Sequence, residues 1–214
     1  MVTRQFLANV LPARVVSVAE SNTWVEFAEK LGTPAVLLVQ LDGVHGEMVQ
    51  ALEDASAAAV EPLRAGDGLA FGTTVGPPAP TSRSRPFAAP LDVTRLQTMF
   101  VKGPYYVQPL VKRILSGKTF TERISVGRAR NNDVVLRHRS VSKFHAWFEL
   151  GEKDELLLGD ARSTNRTMLN GRPVGRDIES VGSGDELRFG SVSATVCAAE
   201  VLWQVLHGQP GSTG

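Results

Sequence analysis

The sequence predicts a mainly β protein: a sandwich of many short strands, preceded by a smaller α/β or helical N-terminal region. Three observations predict it. From Tyr105 onward apolar residues recur with the two-residue period of strands, whereas earlier segments carry helical spacing. Turn residues at Gly151, Asn170-Gly171 and Gly182-Ser-Gly184 cut the second part into short segments, as in antiparallel sandwiches. Composition shifts at 76–90, where five prolines with Ser and Arg make a stretch that cannot pair regularly in a sheet.

In chain order, Thr23 followed three residues later by Glu26 is a capping box opening a helix. Trp24, Phe27 and Leu31 share one face of that helix, and Gly32 with Pro34 ends it. The apolar run Ala35-Val-Leu-Leu-Val-Gln-Leu41 has strand length and stops at Asp42-Gly43. A second helix is expected from about Gly46 to Val60, with Met48, Leu52, Ala55 and Ala59 on one stripe before Pro62. Asp92 caps a short helix carrying Leu96 and Phe100. Strands are then expected at 105–111, 122–126, 134–136, 145–150, 156–158, 167–169, 186–189 and 192–197, with a closing helix over 198–207 and a flexible tail after it. The division is thus 1–75, an N-terminal region of unknown function; 76–91, a linker; 92–200, the β-sandwich; and 201–214, the helix end and tail.

The formal net charge of +1 argues against a dedicated nucleic-acid binder. No apolar run approaches the roughly 20 residues of a membrane-spanning helix, and the N-terminus lacks the apolar core of a secretory signal, so a cytoplasmic protein is expected. The single cysteine, Cys197, sits in a strand-like stretch and reads as a core thiol. The glycine-rich Asp42-Gly-Val-His-Gly46 lacks dinucleotide-binding spacing, and no metal-ligand set, cofactor motif or phosphate loop is present.

The chemistry lies in three polar loops. Gly127-Arg128 places a guanidinium fork after a tight turn, and such a fork matches phosphate oxygens bidentately. Ser142-Lys143-Phe144-His145 sets a hydroxyl beside an ammonium, with Phe144 and Trp147 expected to pack inward. Ser142 and His145 do not read as a hydrolytic pair, because no Gly-x-Ser-x-Gly elbow is present; His145 reads as a brace between loops. In Ser163-Thr164-Asn165-Arg166-Thr167 the threonine supplies another hydroxyl, and Asn165, both donor and acceptor, can grip a peptide main chain. Arg123, Arg128, Arg130, Arg137, Arg139 and Lys143 fall in a stretch whose one acid is Asp133, which suggests an electropositive collar for an anion.

Taken in order, Ile124–Leu136, Ser140–Phe148, Leu158–Gly171 and Gly184–Gly190 resemble the forkhead-associated (FHA) domain, over roughly residues 103 to 198. The resemblance implies a sandwich of about 11 strands whose apical loops bind phosphothreonine peptides, without catalysis, cofactor or metal. It implies that Arg128 and Ser142 hold the phosphate, with Thr164 and Lys143 adding contacts, and that Asn165 clamps the peptide backbone. Gly127 and His145 would be architectural, and Asn170 would order the loop carrying Thr164 and Asn165. Arg139 and Arg166 stand as further basic contacts. Arg166 occupies a position where the family usually has glycine, so the loop either tolerates a side chain or has shifted. The implied partner is a phosphothreonine-containing protein, such as a Ser/Thr kinase or its substrate, with no membrane; homo-oligomers fit the same reading. The alternative is a phosphate-independent interaction or oligomerisation module with a degenerate pocket.

Overall fold

The computed structural model describes residues 20–21, 23–41, 46–57, 60–61, 91–113, 123–151 and 155–207. The proline-rich stretch at 76–90, residues 42–45 with His45, and the tail from 208 lie outside the described residues.

Helix α1 spans Trp24–Leu31. Thr23 caps it by accepting from the Glu26 backbone N–H at 3.2 Å, while the Glu26 carboxylate pairs with Lys30 at 2.6 Å. Gly32, at φ 69°, ends it with its N–H on the Ala28 carbonyl, a left-handed cap that glycine adopts without steric cost. Strand β1 is Ala35–Gln40, and helix α2 is Gly46–Ser56. The second helix is shorter than its apolar stripe predicts, because Val60–Glu61 forms strand β2 and pairs with β4, Lys112–Arg113. Helix α3, Val93–Lys102, is capped by Asp92, whose carboxylate accepts from the Arg95 N–H at 2.7 Å.

The remaining strands are β3 (Tyr105–Pro109), β5 (Ile124–Gly127), β6 (Val134–Val135), β7 (Ala146–Leu150), β8 (Leu156–Asp160), β9 (Thr167–Leu169), β10 (Arg172–Pro173), β11 (Glu179–Val181), β12 (Glu186–Phe189) and β13 (Val192–Ala198), followed by helix α4 (Ala199–His207). Two sheets face each other, ordered β10-β9-β12-β13-β1-β3 and β11-β8-β7-β5-β6. All pairings are antiparallel except β5 with β6.

Strand β1 is not set apart from the sandwich. It lies between β13 and β3, with Val39 opposite Ala194 and Tyr106. Its unbroken apolar run explains the position, because a strand covered on both faces needs apolar side chains on both. Ala35, Leu37 and Val39 enter the core between the sheets with Ile124, Phe148, Leu158 and Phe189. Val36 and Leu38 point the other way, into a second cluster with Phe27, Leu31, Leu96, Phe100, Cys197 and Leu202. Helices α1, α3 and α4 therefore cover the outer face of the six-stranded sheet, and each leucine so buried contributes about 1.5–3 kcal/mol. Among the described residues, no helix is long and apolar enough to cross a membrane.

Candidate functional site

Strand β5 ends at Gly127, where the chain runs against the loop that leads into β7. A Cβ on Gly127 would stand 2.4 Å from the Lys143 carbonyl oxygen, so no side chain fits. The close approach lets the Arg128 N–H donate to the Ser142 carbonyl at 2.9 Å and the Ala129 N–H to the Lys143 carbonyl at 3.2 Å. Buried Asn132 adds its Nδ2 to the Lys143 and Ala129 carbonyls, at 2.7 and 2.8 Å. Below it, Asp133 accepts from the Ser125 N–H, the Ser125 hydroxyl and the Arg113 N–H, at 2.6–2.8 Å. Arg113 returns two bonds through Nη1, to the carbonyls of Arg130 and Asn132. The exposed Arg128 is thus mounted on a rigid turn. Its Nε donates to the Val141 carbonyl at 3.0 Å, and its terminal nitrogens have no partner among the described residues.

The loop between β8 and β9 is fastened at its base by Asp160. The carboxylate accepts from the N–H and hydroxyl of Ser163, at 3.0 and 2.7 Å, and from those of Thr167, at 3.0 and 2.7 Å. Burial pushes the Asp160 carboxyl up, but these four bonds outweigh it and hold the group below its ordinary range. Two arginines in this loop, Arg162 at φ 56° and Arg166 at φ 61°, occupy the left-handed region. That conformation costs a residue with a side chain roughly 1–2 kcal/mol. Arg166 therefore holds a backbone conformation that glycine would adopt more easily.

The two loops are joined to each other. The Thr164 N–H donates to Ser142 Oγ at 3.1 Å, and Asn165 Nδ2 donates to the Ser140 carbonyl at 2.8 Å. His145, fully buried between them, accepts the Ser142 N–H on Nδ1 at 3.0 Å and sets Nε2 3.2 Å from the Arg166 carbonyl. These two contacts fix a neutral tautomer with the proton on Nε2. Burial lowers the His145 pKa, opposed by the Arg166 carbonyl and by Asp160. Nδ1 faces the backbone of Ser142 rather than its hydroxyl, so the pair has the geometry of a brace, not of a nucleophile and base.

Arg128, Ser142, Thr164 and Asn165 thus come together on adjoining loops, with Lys143 exposed beside them. Three expectations require correction. Phe144 does not pack inward: it is 40% exposed, in the loop that precedes β7. Trp147 does not enter the core either: it alternates with Ala146 and Phe148, which do, and is buried on the outer face of the five-stranded sheet against Gly159. Arg123 leaves the collar, since its guanidinium lies 3.8 Å from the Trp147 ring centre and pairs with Glu149 at 2.9 Å. Asn170 bonds to Asp185 and to the Glu186 N–H, at 2.7 and 2.9 Å, and so orders the 182–186 turn rather than the loop carrying Thr164. Arg139 is exposed, one residue before a cluster in which Ser140 Oγ bonds His138 Nδ1 and Ser191 Oγ, at 2.7 and 2.8 Å. Sequence reasoning missed Asp160 and Asn132. For Asp160 a signal existed, the serine three residues on, the spacing of a carboxylate that caps its own turn.

The arrangement is an array of donors, one guanidinium, two hydroxyls and an amide, aimed at solvent from loops braced underneath. A family model described as FHA domain matches residues 124–190, the stretch that carries all four residues. Residues 124–190 form an FHA domain. FHA domains are a family of phosphothreonine-peptide-binding modules. Among solved structures, an FHA domain studied for phosphothreonine-dependent interactions is similar at 28% identity, over 38% of this chain and 85% of that one, with a TM-score of 0.33. The N-terminal FHA domain of S. cerevisiae Rad53p, in complex with a phosphothreonine peptide, is similar at 24% identity, over 44% and 88%, with a TM-score of 0.35. An engineered FHA domain with a Myc-pTBD peptide gives 26% identity, 48% and 89%, and a TM-score of 0.37. No curated protein matches the chain. Strand β1, which completes the six-stranded sheet here, lies outside the residues that match the FHA domain.

Proposed function

We propose that this protein is a non-catalytic adaptor that binds phosphothreonine-containing segments of partner proteins in Ser/Thr-kinase signalling. The observation that carries this reading is the hub at Ser142. Its oxygen accepts from the Thr164 N–H, so its own proton is free to donate outward, beside the unpaired end of the Arg128 fork. A phosphate carries about −1.5 to −2 charges at pH 7 and takes up both donors. Asn165, oriented by Ser140, keeps its carbonyl oxygen and second N–H for the peptide backbone. Two or three charge-assisted bonds of about 1.5–3 kcal/mol each support roughly micromolar affinity.

The test is fluorescence anisotropy with a degenerate phosphothreonine peptide library, against phosphoserine and unphosphorylated versions. Binding that requires phosphothreonine and drops by about 2–5 kcal/mol in Arg128→Ala is the expected result. Equal affinity for the unphosphorylated peptides would replace this reading with a phosphate-independent interaction module.

A further inference from the structure

Next to the hub is a concavity of about 710 Å³ lined by Asp160, Ser163, Thr164 and three arginines, Arg162, Arg166 and Arg176. None of the three guanidiniums has a hydrogen bond or ion pair with any described residue. The one carboxylate in the lining, Asp160, is committed to Ser163 and Thr167. Three guanidiniums around one hollow outnumber its single carboxylate, and the excess positive charge favours an entering anion. Two of the three sit on left-handed backbone, where glycine would be unstrained. Charge, unused donors and retained strain converge on one place, and Thr164 connects that place to the hub.

We propose that Arg162, Arg166 and Arg176 form an anion subsite that reads acidic side chains, or a second phosphate, flanking the phosphothreonine. The inference rests on the phosphothreonine reading and adds a selectivity to it. A peptide with its phosphate over Ser142 and Thr164 runs a few residues past this hollow, and carboxylates there meet guanidinium forks at short range. Exposed pairs of this kind contribute individually little and collectively more.

The experiment measures binding of four peptides that share one phosphothreonine: neutral flanks, an acidic N-terminal flank, an acidic C-terminal flank, and a neutral flank with a second phosphate. One acidic peptide and the doubly phosphorylated one are expected to bind about tenfold tighter than the neutral peptide, an advantage that shrinks as salt rises from 50 to 500 mM. Substituting Arg162 and Arg176 together with Gln should erase most of the advantage and leave the neutral peptide's affinity within about twofold. Lys102→Gln on α3, an equal loss of charge elsewhere, should leave it intact. Arg166→Gly supplies a readout that a structural role would not give, since it should raise the thermal midpoint by relieving strain while cutting the acidic preference about two- to fivefold. An advantage for carboxylates without one for the second phosphate, or the reverse, identifies which anion is read. Equal binding of all four peptides would overturn the subsite and leave the phosphothreonine reading standing. No binding of any peptide would end both.

Discussion

The backbone N–H of Thr164 donates to the side-chain oxygen of Ser142 at 3.1 Å, tying two loops that lie on opposite sides of β7 and β8 in the chain. One hydroxyl therefore serves both as acceptor within the protein and as donor toward a ligand. Ser142→Ala removes both roles. It should cost about 1–3 kcal/mol in phosphopeptide binding but less than about 1 kcal/mol in stability, because Thr164 is exposed and water can replace the lost acceptor. Calorimetric titration and a denaturant melt on the same variant separate the two effects.

Asp160 governs the shape of the β8–β9 loop without reaching the ligand. In Asp160→Asn the amide oxygen can replace Oδ1, which takes three of the four bonds, but the NH2 then stands opposite the Ser163 N–H. The expected loss is about 1–3 kcal/mol of stability, with weakened binding at an unaltered salt dependence. Retention of full affinity in this variant would show that the loop holds its shape by other means.

His145 makes the fold sensitive to mild acid. Its folded pKa lies below the ordinary value, so the unfolded chain takes up its proton first as pH falls. The stability contributed is fully present above about pH 6.5, the unfolded value, and is lost as pH drops from there through the folded pKa. Thermal midpoints recorded from pH 8 to pH 5 should decline below that point in the wild type. The decline should flatten in His145→Gln, which is less stable at pH 8.

Strand β1 belongs to the core that shapes the binding loops. Leu37 is fully buried between the sheets, and Leu37→Ala should cost about 2–5 kcal/mol. Urea melts followed by tryptophan fluorescence and by far-UV circular dichroism should shift together. A wild-type midpoint in this variant would contradict the strand's place between β13 and β3.

Cys197 is fully buried beneath α4, and burial pushes its thiol pKa up to about 12. It should resist alkylation at pH 8 in the native protein and react fully in 6 M guanidinium. Its modification rate then reports global opening of the sheet.

Much of this was readable in the residues, and what was not has physical causes. Arg128, Ser142, Thr164 and Asn165 stand in short polar clusters whose chemistry is local, so their sequence positions suffice to suggest their use. The apolar run at 35–40 announces a strand buried on both faces, but its neighbours are set by pairing with Ala194 and Tyr106, far away in the chain. The two-residue strands β2, β4 and β10 are too short to carry any period. Asp160 and Asn132 act through bonds that exist only once the loops have met. Arg166 is legible as an arginine where glycine is usual, whereas its left-handed backbone is visible only in three dimensions.

The register of β1 has a consequence for how the molecule is made. Val39 leaves the ribosome well before its partner Ala194, because the two are far apart in the chain. At translation rates of roughly 5–20 residues per second, the strand waits on the order of ten seconds or more for β13 to emerge. Through that interval a largely apolar segment has no permanent neighbour on one edge, the kind of exposure that promotes aggregation of incomplete chains. It also makes late stop codons costly, since a chain ending before β13 keeps its phosphate-facing loops in sequence but has no closed sheet to carry them.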